Sequence, residues 1–220
     1  MKFQAVVFDL DGTLLDTLED LAHAGNRVLE AEGFPVHPVD QYRFFVGDGL
    51  DTLVERILPE NKRSKEHVYR LITAFREDYG KNWKVKTRLY DGVDRLLDEL
   101  EKRQIKLNVF SNKPQDFTEA CIRDFLGDWT FQFVFGQRSG RPKKPDPAGA
   151  LEIARLLGVG PSEILYLGDT ATDMKTALAA GMFPVGALWG FRSEDELRRN
   201  GAEHLISHPE ELLKLLHRNT

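Results

Sequence analysis

The feature that most restricts the fold of this chain is a set of five short apolar runs, most of them separated by stretches with helical periodicity. The runs occupy residues 3–8, 105–110, 131–135, 163–167 and 183–188. Each is apolar on both alternating faces, which is typical of parallel strands buried on both sides of a sheet. This alternation predicts an α/β fold with a Rossmann-like, doubly wound parallel sheet. A weaker strand over 204–207 and a helix over 209–217 complete the predicted fold.

Residues 16–88 differ from the rest of the chain because they contain three helical patterns, over 18–29, 50–58 and 68–79, and no convincing strand. The first pattern starts directly after Thr17, and the spacing of Thr17 and Asp20 resembles that of a capping box. We therefore expect residues 16–88 to form a helical domain. It would be inserted into a core made of residues 1–15 and 89–220.

The composition argues against several classes of protein. The chain has 220 residues, of which 41% are hydrophobic and 30% charged, so it is unlike disordered or collagen-like chains. Its formal net charge is −5 and its basic residues are not clustered, so we do not expect nucleic acid as a partner. No uncharged run approaches the roughly 20 residues of a membrane span, so we expect no membrane contact. The single cysteine, Cys121, cannot form an intramolecular disulfide, so we expect a reducing compartment and a cytoplasmic protein.

The first predicted strand leads directly into two carboxylates and a turn. Asp9 and Asp11 are separated by one residue, so their side chains project to the same side of an extended chain. Gly12 then lets the backbone turn sharply close to a ligand, and Thr13 follows it. Aspartates at strand ends also form caps and turns, so this motif alone does not decide between a structural and a chemical role.

The ends of three other strands also carry polar groups. Ser111 and Asn112 follow the second strand, before an expected helix start whose free N–H groups favour an anion. Lys144 lies in a proline-rich loop, and Asp169 and Asp173 follow the fourth strand one helical turn apart, so they can face one ion. Taken one at a time, these polar groups are also typical of helix caps and of lysines on an exposed surface. Together they project from one edge of the predicted sheet, where α/β folds bind ligands.

The four motifs, in this order and with the helical insert, resemble those of the haloacid dehalogenase-like superfamily of phosphohydrolases. A closer resemblance is to its phosphoglycolate phosphatase-like members. That likeness rests on Phe-Val-Gly-Asp-Gly at 45–49, on Lys-Pro-Asp-Pro at 144–147 and on the tail over 189–212. The resemblance implies that residues 16–88 are the alpha-helical cap of this superfamily.

The resemblance also implies a role for each motif residue. Asp9 would be the nucleophile, forming an acyl phosphate that water can cleave. Asp11 would be the acid and then the base, and it must start protonated, which nearby carboxylates favour by raising its pKa. Ser111 and Lys144 would be catalytic, holding a phosphoryl oxygen and neutralising Asp9. The implied phosphate and substrate contacts are Gly12, Thr13, Gly47, Asp48, Gly49, Ser111, Asn112 and Lys144.

The charge of the predicted site indicates a metal ion. A phosphate dianion approaching Asp9, Asp169 and Asp173 is repelled by about 4 kcal/mol per unit-charge pair, at roughly 4 Å and an effective dielectric constant of about 20. One lysine cannot offset that repulsion. An all-oxygen site with few carboxylates suits Mg²⁺. By resemblance, its ligands are Asp9, the backbone carbonyl of Asp11, Asp169 and Asp173.

The predicted function is hydrolysis of a small soluble phosphomonoester by a monomer or homodimer. Phosphoglycolate is implied by resemblance alone. Asp48 on the cap loop would repel an acidic substrate unless it faces away or pairs with a cation such as Arg43. A β-phosphoglucomutase-like phosphomutase, a pyrophosphatase and a nucleotidase are alternatives on the same scaffold. A non-enzymatic aspartyl-phosphate signalling module is the alternative from another class, although a substrate-covering insert would be of little use to it.

Overall fold

The computed structural model describes residues 3–216, and its centre is a six-stranded sheet whose strands all run parallel. In chain order the strands are β1 (Ala5–Phe8), β2 (Leu15–Asp16), β3 (Arg88–Leu89), β4 (Lys106–Pro114), β5 (Phe131–Gln137), β6 (Ile164–Gly168), β7 (Phe183–Ala187) and β8 (His204–Ile206). The α-helices are α1 (Leu18–Ala31), α2 (Tyr42–Phe45), α3 (Leu50–Ile57), α4 (Lys65–Asn82), α5 (Val93–Lys102), α6 (Gln115–Phe125), α7 (Ala148–Leu157), α8 (Ala171–Ala180), α9 (Glu194–Arg199) and α10 (Leu212–Leu215).

The main sheet has the strand order β5-β4-β1-β6-β7-β8, so the first strand of the chain lies near its middle. Phe8 of β1 is in register with Val109 of β4 and with Leu167 of β6. The carboxyl ends of these strands therefore lie side by side. The predicted doubly wound parallel sheet is confirmed, including its weak last strand.

Both faces of the sheet are buried, which explains why the strands are apolar throughout. In β1, Ala5 and Val7 pack into one hydrophobic cluster, whereas Val6 and Phe8 pack into the other. Residues of α7 and α8 belong to the first cluster, and residues of α5, α6 and α10 belong to the second. Since successive side chains of a strand point to opposite faces, helices on both sides require apolar residues at every position.

A helical segment, formed by α1 to α4, follows the first strand of the sheet. Three of these helices match the predicted helical patterns, and the one-turn helix α2 was not predicted. The expectation that residues 16–88 contain no strand is wrong at the two ends of this interval. Leu15–Asp16 and Arg88–Leu89 pair as a two-stranded antiparallel ribbon where the helical segment joins the sheet. Two residues are too few to give a strand pattern, so the pairing depends on the tertiary contact between Asp16 and Arg88.

The second predicted strand is longer than its apolar run. β4 continues to Pro114, which is in register with Gln137 of β5, so Ser111 and Asn112 lie on the strand and not at a helix start. The helix begins only at Gln115. The prediction of a helix directly after Ser111 is wrong because β4 pairs with β5 again at Pro114, after an irregularity that follows Phe110.

The expected capping box at the start of α1 does not form. Thr17 is the N-cap residue, but its side chain makes no capping hydrogen bond. Instead, the carboxylate of Asp20 accepts hydrogen bonds from the backbone N–H groups of Lys86 and Thr87 and from the Thr87 hydroxyl, at 2.8–3.0 Å. Asp20 therefore ties α1 to the segment that leads back into the sheet.

The end of the chain folds largely as expected. A 3₁₀ turn over Pro209–Glu211 leads into α10, and the final residue of the predicted helix, His217, lies outside the described residues. Within residues 3–216, no helix combines the length and the apolar character that crossing a membrane requires.

Candidate active site

Three buried carboxylates meet at the carboxyl edge of the sheet. Asp9 follows β1, Asp169 follows β6, and Asp173 lies in the first turn of α8. One carboxylate oxygen of each lies within 4.8 Å of the others, and all three residues are buried. The structure therefore brings together three of the four predicted metal ligands through their side chains.

Two glycines make this approach of carboxylates sterically allowed. Gly12 has a φ of +86°, and a Cβ atom there would lie 2.4 Å from Oδ2 of Asp169. A Cβ atom on Gly168 would lie 2.4 Å from Cβ of Asp173. Because real Cβ atoms do not come so close to other atoms, a side chain at either position would displace the carboxylate beside it.

Hydrogen bonds fix the orientation of Asp169 and Asp173. Asp169 accepts the Thr13 hydroxyl on Oδ1 at 3.0 Å and the Phe191 N–H on Oδ2 at 2.8 Å. Asp173 accepts the N–H and the hydroxyl of Thr170 on Oδ2, at 3.1 and 2.6 Å. Asp173 thus belongs to a helix-capping box and to the carboxylate cluster at once.

Lys144 supplies positive charge to this cluster. Its Nζ lies 2.9 Å from Oδ1 of Asp9 and 2.6 Å from Oδ1 of Asp173, and only 1% of its side chain is exposed. Burial by itself lowers the pKa of Lys144, but the charges of Asp173 and Asp9 outweigh it and hold that pKa well above its usual value. Lys144 is therefore a permanently charged ammonium between two carboxylates.

One ammonium does not compensate three carboxylates. Burial, and next the charge of Asp173, raise the pKa of Asp9 to about 7, although Lys144 opposes the shift. Burial and the charges of Asp173 and Asp9 also hold the pKa of Asp169 well above its usual value. An oxygen-lined cluster with more negative than positive charge is the kind of site that hard divalent cations bind. The donor set fits a metal ion held by Asp9, Asp169 and Asp173.

Ser111 and Asn112 lie beside this cluster on β4. Both are buried and line the cavity in front of Asp9. The side chain of Asn112 accepts the backbone N–H of Lys144 at 2.8 Å and donates to its carbonyl at 3.1 Å. It also donates to the carbonyl of Gly47 in the helical segment at 3.1 Å. Asn112 therefore holds the loop of Lys144 in place through its side chain, a contact that the sequence did not indicate.

Asp11 has a partner that the sequence analysis did not identify. Lys113 Nζ lies 2.9 and 3.2 Å from the two carboxylate oxygens of Asp11, and it donates to the hydroxyl of Tyr79 on α4 at 2.9 Å. We expected a carboxylate next to Asp11, but the group in contact is an ammonium. Lys113 directly follows Ser111 and Asn112 in the sequence, so its place in this strand-end motif is the signal that could have identified it.

Comparison with known proteins agrees with this geometry. The sequence pattern that describes haloacid dehalogenase-like hydrolases matches residues 6–187. The chain belongs to this family. A phosphoglycolate phosphatase from Psychrobacter arcticus is 33% identical over 205 residues, covering 90% of this chain and 89% of the relative. An N-acetylmuramic acid 6-phosphate phosphatase from Pseudomonas aeruginosa is 32% identical over 221 residues, covering 99% and 96%.

Solved structures also resemble this hydrolase closely. The crystal structure of a protein from Lactobacillus delbrueckii subsp. bulgaricus superposes on this chain with a TM-score of 0.92 at 29% sequence identity. The match covers 98% of this chain and 99% of that protein's chain. The likeness extends over the sheet and the helical segment alike. The haloacid dehalogenase-like fold expected from the four motifs is therefore confirmed.

In this hydrolase a cavity lies between the helical segment and the sheet edge. It contains about 530 Å³ of atom-free space, part of it open to solvent. The sheet side is polar, with Asp9, Asp11, Ser111, Asn112 and Lys113. The apolar lining residues are Leu21, Val46, Leu50, Leu53, Phe75, Pro114 and Phe117.

The loop at 47–49 reaches this cavity through its glycines. Gly47 and Gly49 line it, whereas Asp48 is not among the lining residues. The Asp48 carboxylate is bonded to Arg56 and accepts the hydroxyl of Thr172 on α8 at 2.8 Å. These contacts and the charge of Arg56 outweigh burial and lower the pKa of Asp48. The expected cation partner is therefore present, but it is Arg56 and not Arg43.

Proposed function

We propose that this hydrolase is a Mg²⁺-dependent phosphatase that cleaves a small phosphomonoester through an aspartyl-phosphate intermediate. The observation that carries the proposal is the position of Asp9 at the floor of the cavity. There it is paired with Lys144 and lies within 4.8 Å of Asp169 and Asp173, measured between carboxylate oxygens. A nucleophile, a cation and a cation-binding cluster thus meet where a phosphoryl group can enter.

The first half-reaction would transfer the phosphoryl group to Asp9. An Asp9 carboxylate oxygen attacks phosphorus, the Asp9 O–P bond forms and the bond to the ester oxygen breaks. Asp11 gives its proton to the departing alkoxide. The Ser111 hydroxyl and the Asn112 backbone N–H would hold phosphoryl oxygens, and Lys144 would offset the negative charge.

The second half-reaction would release phosphate from Asp9. Asp11, now ionised, accepts a proton from a water molecule, and the water oxygen attacks phosphorus. The Asp9 O–P bond breaks, which restores the Asp9 carboxylate. Asp11 regains its proton in this step, so the cycle closes without another reactant.

We propose Asp9, the backbone carbonyl of Asp11, Asp169 and Asp173 as the residues that hold Mg²⁺. When bound, the ion would supply the positive charge that lets a phosphate dianion approach these carboxylates. The unbalanced charge of the buried cluster supports this assignment.

We also propose that residues 16–88 act as a cap over a core made of residues 1–15 and 89–220. The ribbon of β2 and β3 joins the two parts, and the cavity lies between them. Opening at the ribbon would admit substrate, and closure would exclude bulk water from the phosphoryl group. A receiver module would not require such a covered cavity. The cytoplasmic location and the monomeric or homodimeric state stay predictions.

The substrate we propose is phosphoglycolate or an ester of similar size. The support is the name of the Psychrobacter arcticus relative, and the Pseudomonas aeruginosa relative makes N-acetylmuramic acid 6-phosphate the second compound to test. The experiment measures phosphate release from both compounds and from p-nitrophenyl phosphate, with Mg²⁺ and with excess chelator. We expect turnover with Mg²⁺ and none in chelator.

An Asp9→Asn variant tests the nucleophile in the same assay, because an amide does not attack phosphorus. Asp195→Asn is the matched control, since this aspartate lies on the surface and is 78% exposed. Activity of folded Asp9→Asn within tenfold of the control would contradict the covalent mechanism. Full activity in chelator would remove the metal from the proposal.

A further inference from the structure

Lys113 occupies an unusual position for a lysine. Its side chain is 3% exposed, and its Nζ contacts both oxygens of Asp11 and the hydroxyl of Tyr79. The same Nζ lies 4.9 Å from the centroid of the Tyr79 ring. Lys113 thus connects the proposed proton donor on the sheet side with α4 of the helical segment.

Lys113 is also the cation that an anion in the cavity would meet. Of the described residues that line the cavity, Lys113 alone has a cationic side chain. Lys144 is not among the residues that line the cavity, and it is already paired with Asp9 and Asp173. The cavity walls that the helical segment contributes are mostly apolar. An anion placed against them would lose its hydration without gaining a polar partner, unless a cation is nearby.

The neighbouring arginines are directed to other partners. Arg43 donates to the carbonyl of Gly190, and Arg192 donates to the carbonyl of Val46. Arg56 is paired with Asp48. None of the three lines the cavity within the part of the chain that the structure describes.

The distances place the Lys113 ammonium within reach of a substituent on the leaving group. In the proposed function, Asp11 donates a hydrogen bond to the ester oxygen. Lys113 Nζ is one further hydrogen bond away, 2.9 Å from Oδ1 of Asp11. In phosphoglycolate the carboxylate is attached one methylene from the ester oxygen, so it can reach the ammonium while the ester oxygen stays on Asp11.

We propose that Lys113 is a specificity-determining residue, which pairs with a carboxylate on the leaving group of the substrate. Without substrate its ammonium is held by Asp11, and the substrate carboxylate replaces Asp11 as its partner. The inference rests on the proposed phosphatase function and adds the residue that would select acidic esters. An ester without a carboxylate would leave Lys113 on Asp11.

The test compares phosphoglycolate with ethyl phosphate, in which a methyl group replaces the carboxylate. We measure kcat/KM for both esters in the wild type, in Lys113→Met and in Lys113→Arg. Lys113→Met should lower kcat/KM for phosphoglycolate at least about tenfold more than for ethyl phosphate, because a buried charge would lose its partner. Lys113→Arg keeps the charge, so it should retain part of the wild-type ratio of kcat/KM for phosphoglycolate to kcat/KM for ethyl phosphate.

Lys84→Met is the matched control. Lys84 also joins the helical segment to the core, through Asp124 at 2.7 Å, but it does not line the cavity. The Lys84→Met variant should leave the ratio of the two kcat/KM values unchanged. Loss of stability alone would affect both esters equally, so the ratio separates recognition from folding.

Inhibition of the wild type gives a second measurement that does not depend on any variant. Glycolate should inhibit hydrolysis of p-nitrophenyl phosphate at least about tenfold more strongly than glycolamide, which has the same shape without the charge. Equal inhibition, or an equal loss for both esters in Lys113→Met, would overturn the role of Lys113 and leave the phosphatase function intact. If no phosphate ester is hydrolysed, the proposed function itself is wrong and this inference falls with it.

Discussion

Replacing Lys144 by methionine tests the charge balance of the buried cluster. Methionine keeps most of the length and apolar volume of the side chain but removes the ammonium between Asp9 and Asp173. Breaking a buried ion pair from one side costs about 3–5 kcal/mol. Two carboxylates no more than 4.8 Å apart repel each other by at least about 3.5 kcal/mol at an effective dielectric constant of about 20, and without the ammonium nothing in the cluster offsets this repulsion.

We therefore expect Lys144→Met to lower the free energy of unfolding by about 3–5 kcal/mol at pH 8 in chelator. The loss should be smaller at pH 5.5. The pKa of Asp9 is about 7 in the folded protein and near 3.8 in the unfolded chain, so its ionisation opposes folding as pH rises from about 4 to 7. Protonation at lower pH removes that repulsion. Mg²⁺ should recover part of the loss at pH 8, since it supplies positive charge to the same oxygens.

The assay is urea unfolding of wild type and variant at both pH values, with chelator and with Mg²⁺. Lys106→Met is the control, because the Lys106 ammonium donates to the carbonyl of Leu157 and pairs with no carboxylate among residues 3–216. A deficit for Lys144→Met within about 1 kcal/mol of that control, or an equal deficit at both pH values, would refute the charge argument.

Two further predictions concern Asp11 and Asp20. Asp11→Asn should lower hydrolysis of an alkyl phosphate about 10²–10⁴-fold and that of p-nitrophenyl phosphate less, because p-nitrophenolate leaves without a proton; equal losses would contradict the acid role. Asp20→Ala should lower the free energy of unfolding by about 2–4 kcal/mol, because it leaves the N–H groups of Lys86 and Thr87 without an acceptor. Urea unfolding measures that loss, Asp20→Asn should lose less, and a change below about 0.5 kcal/mol would contradict the contribution of these bonds.

The strand-end residues were predictable because periodicity and topology act together. Apolar runs indicated strands buried on both faces, and the alternation with helices indicated parallel strands, whose carboxyl ends share one edge. Asp9, Asp169 and Asp173 follow two of those strands, so their proximity follows from the order of elements. Lys144 follows from the same rule, since it lies in the loop after another strand.

The partners of these residues were not predictable in the same way. Lys113 pairs with Asp11 across 102 residues of sequence, and Asp48 accepts the hydroxyl of Thr172 across 124 residues. Side chains in such pairs carry no pattern that links them, because lysine and aspartate are also common on exposed surfaces. The β2–β3 ribbon was missed for a similar reason, since two residues per strand give no periodicity.

The sequence alone determined the parallel sheet, the helical insert and the set of residues at one sheet edge, because hydrophobic periodicity and chain order act locally and leave few topologies. Only the tertiary structure decided which cation faces which carboxylate: Lys144 faces Asp9 and Asp173, Lys113 faces Asp11, and Arg56 faces Asp48. These pairings depend on distances of a few ångströms between distant parts of the chain. Coulomb energies change steeply over such distances in a buried site, so packing of the helical segment against the sheet sets them.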